Sequence, residues 1–96
     1  MPIGLSATDI GFLFEEIWRG RSAISGVFEK LVLIRWDASK PLAYGNIVCM
    51  TRQEASEHDA LSSMEQVEAH YQPDILAYIQ RRIQKEKEEN EWRLHY

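Results

Sequence analysis

The sequence predicts a small two-layer α+β domain: an N-terminal helix, an antiparallel β-hairpin and two C-terminal helices. Three features predict it. Apolar residues recur at helical spacing before position 20, alternate at strand spacing in two runs between 27 and 50, and return to helical spacing after Pro73.

The first helix is read from "SATDIGFLFEEIWRGRS". Ser6 followed three residues later by Asp9 resembles a capping box, with Thr8 as a rival cap. Ile10, Leu13, Phe14, Ile17 and Trp18 share one face, and Phe12 falls off that stripe. Arg19 suits the negative end of the helix dipole, and Gly20 suits a left-handed cap.

Two strand-like runs follow. In "VFEKLVLIRWD", Phe28, Val32, Ile34 and Trp36 alternate with Val27, Leu31 and Leu33, while in "GNIVCMT" Ile47 and Cys49 alternate with Val48 and Met50. The turn-rich "DASKPLAYG" between them is short for a parallel crossover, which needs about a dozen residues, so the pair is antiparallel.

From "TRQEASEHDAL" the pattern is helical and continues through "MEQVEAHY" to Pro73, where a new helix begins. Ile75, Leu76, Ile79 and Ile83 form its apolar stripe. The stretch "QKEKEENE" then has no apolar residue. Pairs such as Arg82 with Glu86 and Lys85 with Glu89 would steady an exposed helix by about 0.2–0.5 kcal/mol each. The chain therefore reads as a single α+β domain over 1–96, with 84–96 as a projecting helical arm.

Composition narrows the function classes. The 96 residues carry a net charge of −4, which disfavours nonspecific attraction to nucleic acid or anionic lipid. Cys49 is the lone cysteine, ruling out an intrachain disulfide, and in its apolar run it reads as a buried small hydrophobe. The N-terminal stretch lacks the basic and long apolar regions of a secretory signal, and no apolar run is long enough to span a membrane, so the expected location is the cytoplasm.

Both strands look apolar on both faces, and an isolated two-stranded ribbon is marginal in water. A short third strand from "PIGLS", helices on both sides, or another chain must cover it. The expectation is a protein–protein interaction module without catalytic activity or cofactor, either a homodimer or a subunit of a larger assembly. Trp92, Leu94, Tyr96, Ile79 and Ile83 are the expected partner-binding residues, since large apolar side chains anchor interfaces.

Three other readings rest on smaller features. Adjacent His58 and Asp59, with His70, are of the residue types that ligate a divalent ion in a small metal-dependent hydrolase or metal-binding protein. Arg81, Arg82, Lys85 and Lys87 form a basic cluster of the kind a nucleic-acid-associated regulator uses, overlapped by the acidic run from Glu86 to Glu91. That run could also occupy a partner's basic groove. The loop "GRSAISG" lacks the lysine signature of a phosphate-binding loop.

Overall fold

A computed structural model describes residues 5–94, with the side chains of residues 92–94 outside that description. The partner role expected of Trp92, Leu94 and Tyr96 thus lies outside the described residues, as does "PIG" of the "PIGLS" stretch offered as a third strand, while its Leu5 and Ser6 are not in a strand. The order is α1 (Ala7–Phe12), β1 (Leu31–Arg35), β2 (Ile47–Thr51), α2 (Arg52–Asp59), α3 (Met64–His70) and α4 (Pro73–Leu94). This is the α+β class read from the sequence, with an antiparallel sheet of two strands.

Ser6 caps α1 as expected: its hydroxyl accepts from the Asp9 amide at 3.1 Å, and the Asp9 carboxylate accepts from the Ser6 amide at 3.0 Å. The helix then widens into a π turn over Leu13–Ile17, with the Trp18 amide reaching back to the Leu13 carbonyl at 3.0 Å. Leu13, Ile17 and Trp18 are buried there, whereas Ile10, expected on the same stripe, stays 46% exposed. Arg19 and Gly20 both take the left-handed conformation, and the Gly20 amide closes the end by donating to the Phe14 carbonyl at 2.8 Å.

β1 is shorter than its apolar run. Lys30 adopts φ 54°, which ends the extended backbone on its N-terminal side, so Val27 and Phe28 lie outside the strand. Phe28 is 69% exposed, with the Arg21 guanidinium 5.5 Å above its ring. The register runs from Leu31 opposite Thr51 to Arg35 opposite Ile47. Asn46 shapes the connecting loop. Its Oδ1 accepts from the Asp37 amide at 2.8 Å, and its Nδ2 donates to the carbonyls of Asp37 at 3.0 Å and Pro41 at 2.9 Å.

Three helices follow the hairpin where the periodicity suggested two. The run after Thr51 breaks at Ala60–Ser63, because the Ser63 hydroxyl caps a fresh helix by accepting from the Gln66 amide at 3.2 Å. Pro73 opens α4 as expected. Ile79 and Ile83, expected to face a partner, are buried in the chain's own core beside Leu13, Ile17, Trp18 and Met50. Amphipathic spacing marks a face that needs cover without saying who covers it.

Glu86 is the larger surprise. Read as half of a surface ion pair, it is completely buried. It accepts hydrogen bonds from Trp18 Nε1 at 3.0 Å, the Gly45 amide at 2.9 Å and the Ile47 amide at 3.2 Å. One carboxylate thereby joins the end of the first helical segment, the hairpin loop and β2 to α4. Gly45 permits the approach: at φ 94° it adopts a backbone costly for other residues, and a Cβ there would lie 2.9 Å from Lys87 Cγ.

Candidate docking surface

The two edges of the hairpin are treated differently. The backbone bonds at Trp36–Asn46 and Lys30–Arg52 mark the hydrogen-bonded pairs of the ladder. By the alternation of an antiparallel pair, Val32 and Ile34 aim their amides and carbonyls at β2, while those of Leu31, Leu33 and Arg35 point outward. The same alternation points the backbone groups of Ile47, Cys49 and Thr51 away from β1.

On the β2 side one outward group of each of these residues finds a partner, none of them a strand. The Ile47 amide donates to Glu86, the Cys49 carbonyl accepts from the Ala23 amide at 2.8 Å, and the Thr51 amide donates to Glu54 Oε1 at 3.0 Å. The loop that supplies Ala23 is held by Ser22, whose hydroxyl donates to Glu54 and accepts from the Ile24 amide. Burial pushes the Glu54 carboxyl up, but hydrogen bonds from Ser22 and Thr51 outweigh it and hold the group below the usual glutamate value. A charged Glu54 thus serves as acceptor for both α2's cap and β2's edge.

On the β1 side, among the described residues no strand or side chain pairs with the outward backbone of Leu31, Leu33 and Arg35. Beside this edge lies an apolar groove of about 430 Å³ lined by Ile10, Phe14, Leu31, Leu33, Leu42 and Ile47. Residues Ile47 to Met50 of β2 are fully buried, while Leu31 to Ile34 of β1 are half-buried. An open row of backbone donors and acceptors next to an apolar trough is the geometry of strand addition, where main-chain bonds give affinity and alternate side chains fill the groove.

His58 is buried in a structural role. Its ring stacks on Trp36 with centroids 5.0 Å apart, and Tyr71 stacks on the same indole at 5.6 Å. His58 Nε2 lies 2.8 Å from the Trp36 carbonyl, which can only accept, so that nitrogen carries the proton. Nδ1 then accepts from the Tyr71 hydroxyl at 2.8 Å. Burial, and then the charges of Glu54 and Glu57, push the Tyr71 pKa up to about 12, which keeps that proton in place. Both nitrogens of His58 are engaged, Asp59 is exposed, and His70 stands edge-on to Tyr71 at 4.7 Å. The structure does not bring these three together as ligands, and among the described residues no group of three or more His, Cys, Asp or Glu is placed to hold a metal ion.

The basic residues are redistributed. Arg19 joins Arg81, Arg82 and Lys85 along one cleft, while Lys87 lies against Gly45 on another side of α4. Cys49 is buried, and desolvation pushes its thiol up to about 11, so it is a packing residue as its apolar setting implied. In the sequence Glu86 does not stand out, because a single acid in a charged run looks like its neighbours. The clue available was Glu86's place three residues beyond Ile83, on the extended apolar stripe. Among the described residues, no helix is long and apolar enough to cross a membrane.

No family model matches the chain. It is 34% identical over 86 residues to tRNA threonylcarbamoyladenosine dehydratase 2 of Saccharomyces cerevisiae, covering 88% of this chain and 19% of that protein. It is 35% identical over 85 residues to tRNA threonylcarbamoyladenosine dehydratase 1 of the same yeast, covering 86% of this chain and 20% of that protein. A third similarity, 34% over 65 residues, covers 66% of this chain and 8% of the IQ motif and ubiquitin-like domain-containing protein of Mus musculus. The chain spans about a fifth of the length of the yeast relatives, and shares of 88% and 66% must overlap, so common residues resemble a small part of two differently named proteins.

Proposed function

We propose that this chain is a non-catalytic association module that docks by accepting an extended strand at the free edge of β1. The observation that carries this reading is the contrast between the capped outer edge of β2 and the open outer edge of β1, next to an apolar groove. The comparisons support a portable unit, because the matched stretch is a minor part of longer proteins that bear unrelated names. In a protein like the yeast dehydratases, such a module would brace or position a separate catalytic body that acts on threonylcarbamoyladenosine in tRNA. Alone, a second copy supplies the strand: two β1 edges pair about a twofold axis into a four-stranded sheet. Trp92, Leu94 and Tyr96 are proposed as further anchors on the partner. A cytoplasmic location accords with a single, reduced cysteine.

Light scattering on the chain at tens of micromolar, paired with amide hydrogen exchange, tests this. The expected result is a two-chain mass with protected amides at Leu31, Leu33 and Arg35, both lost in Arg35→Pro, which removes an outward N–H and no bond to β2. A one-chain mass with those amides exchanging freely, even with the rest of a longer protein added, would reject the reading.

A further inference from the structure

We infer that the cleft between the first helical segment and α4 binds the phosphodiester backbone of a nucleic acid. This goes beyond strand docking and uses a different surface. Four cations, Arg19, Arg81, Arg82 and Lys85, line a cleft of about 610 Å³ together with Tyr78. Two carboxylates, Glu16 and Glu89, share the lining, so positive charge dominates locally although the chain as a whole carries −4.

The placement follows from the fold. Ile79, Ile83 and Glu86 anchor α4 inward, which turns Tyr78, Arg81, Arg82 and Lys85 to another face of the same helix. Arg19 comes from elsewhere in the sequence. It holds φ 61°, a conformation that glycine or asparagine would adopt at less cost, and in it shares the cleft with the α4 cations. The Arg82 guanidinium sits 5.4 Å above the Tyr78 ring, which steadies its plane while leaving edge N–H groups to meet an oxyanion.

These are the features that a sugar-phosphate backbone selects. Guanidinium groups match phosphate oxygens with paired donors, and Arg82, lying over the Tyr78 ring, presents its donors from a fixed plane. Cations spread over two elements meet successive phosphates better than one compact anion. The acidic run from Glu86 onward weakens long-range attraction, yet Glu86 is sequestered in the core, which takes one carboxylate away from the opposing surface. RNA and DNA share the backbone chemistry, and the 2′-hydroxyl distinguishes them.

The experiment is a fluorescence-anisotropy titration of the chain with a tRNA transcript, a single-stranded DNA of equal length and polyglutamate, at 50 and 200 mM salt. The expected result is binding to the transcript with a slope of roughly −3 in log K against log salt, as for about four neutralised phosphates. The double variant Arg81→Glu, Lys85→Glu should weaken binding at least tenfold, and Arg81→Gln, Lys85→Gln should weaken it less; circular dichroism confirms that both remain folded. Equal binding of the DNA supports a backbone site blind to the 2′-hydroxyl, and tighter binding of the transcript supports a site that reads it. Undetectable binding at 50 mM salt, equal binding of polyglutamate, or no loss in folded charge variants would overturn the inference. The strand-docking test reads mass and exchange at β1, so either idea can fail alone.

Discussion

β1 and β2 are neighbours of equal length and similar apolar content, yet they have opposite surroundings. β2 is buried from Ile47 to Met50, and one outward backbone group of each of Ile47, Cys49 and Thr51 is bonded, to a glutamate, a loop amide and a helix-capping carboxylate respectively. β1 is half-exposed, and its outward backbone has no partner among the described residues. The contrast teaches that strand burial here is decided by what comes from far along the chain. Ala23 precedes β2 by more than twenty residues, and Glu86 follows it by more than thirty.

The largest expected effect would break this contrast at its buried side. Ile47→Ala removes a fully buried side chain and should cost about 2–5 kcal/mol in urea unfolding, against roughly half that for Leu33→Ala on the half-buried β1. Equal costs would mean that β1 is as well covered as β2. Glu86→Ala comes next, at on the order of 3 kcal/mol, because it leaves the Gly45 and Ile47 amides and the Trp18 indole without their acceptor. A loss under about 0.5 kcal/mol would show that the clamp contributes little.

The clamp also carries a pH signature. Burial pushes the Glu86 pKa from 4.5 to about 7, outweighing the hydrogen bonds from Gly45, Ile47 and Trp18 that favour its charged form. The folded state therefore holds a proton that the unfolded state releases between these values. Glu86 contributes stability that is fully present below 4.5 and lost as the pH rises through about 7. The melting temperature of the native chain, relative to Glu86→Gln, should fall between pH 5 and 8. A pH-independent difference would rule out the titration.

Smaller effects sharpen the exposed side. Arg35→Pro should change monomer stability by less than about 1 kcal/mol, since its N–H faces away from β2, while abolishing association. A large loss of stability would mean that the assigned ladder alternation is wrong. Smallest of all, Cys49 should resist alkylation at pH 8 in the folded state, because its thiol is buried and its pKa is raised to about 11; rapid labelling would show that β2 opens readily.

Much of the framework was readable from local pattern. The Ser6–Asp9 capping box, the antiparallel hairpin, the start of α4 at Pro73 and the burial of Cys49 each depend on near neighbours, and each is present. The site residues were less legible. Ile79 and Ile83 are legible as an apolar stripe, and the structure buries them within the chain. His58 stood out as a possible ligand, but its two nitrogens are taken by Trp36 and Tyr71, residues at distances along the chain that no spacing rule connects. The break between α2 and α3 is not legible in the sequence, because Ser63's role as a cap depends on its backbone conformation.

By itself, the order of residues determined the secondary elements, their apolar faces and the shortage of cover for a two-stranded ribbon, because periodicity and capping act over a few residues. Only the tertiary structure decided which edge of the ribbon stayed open, that Glu86 belonged to the core, and that Arg19 met the cations of α4. Those outcomes depend on contacts between distant segments, where the cost of burying a charge or leaving an amide unpaired is settled by the whole fold.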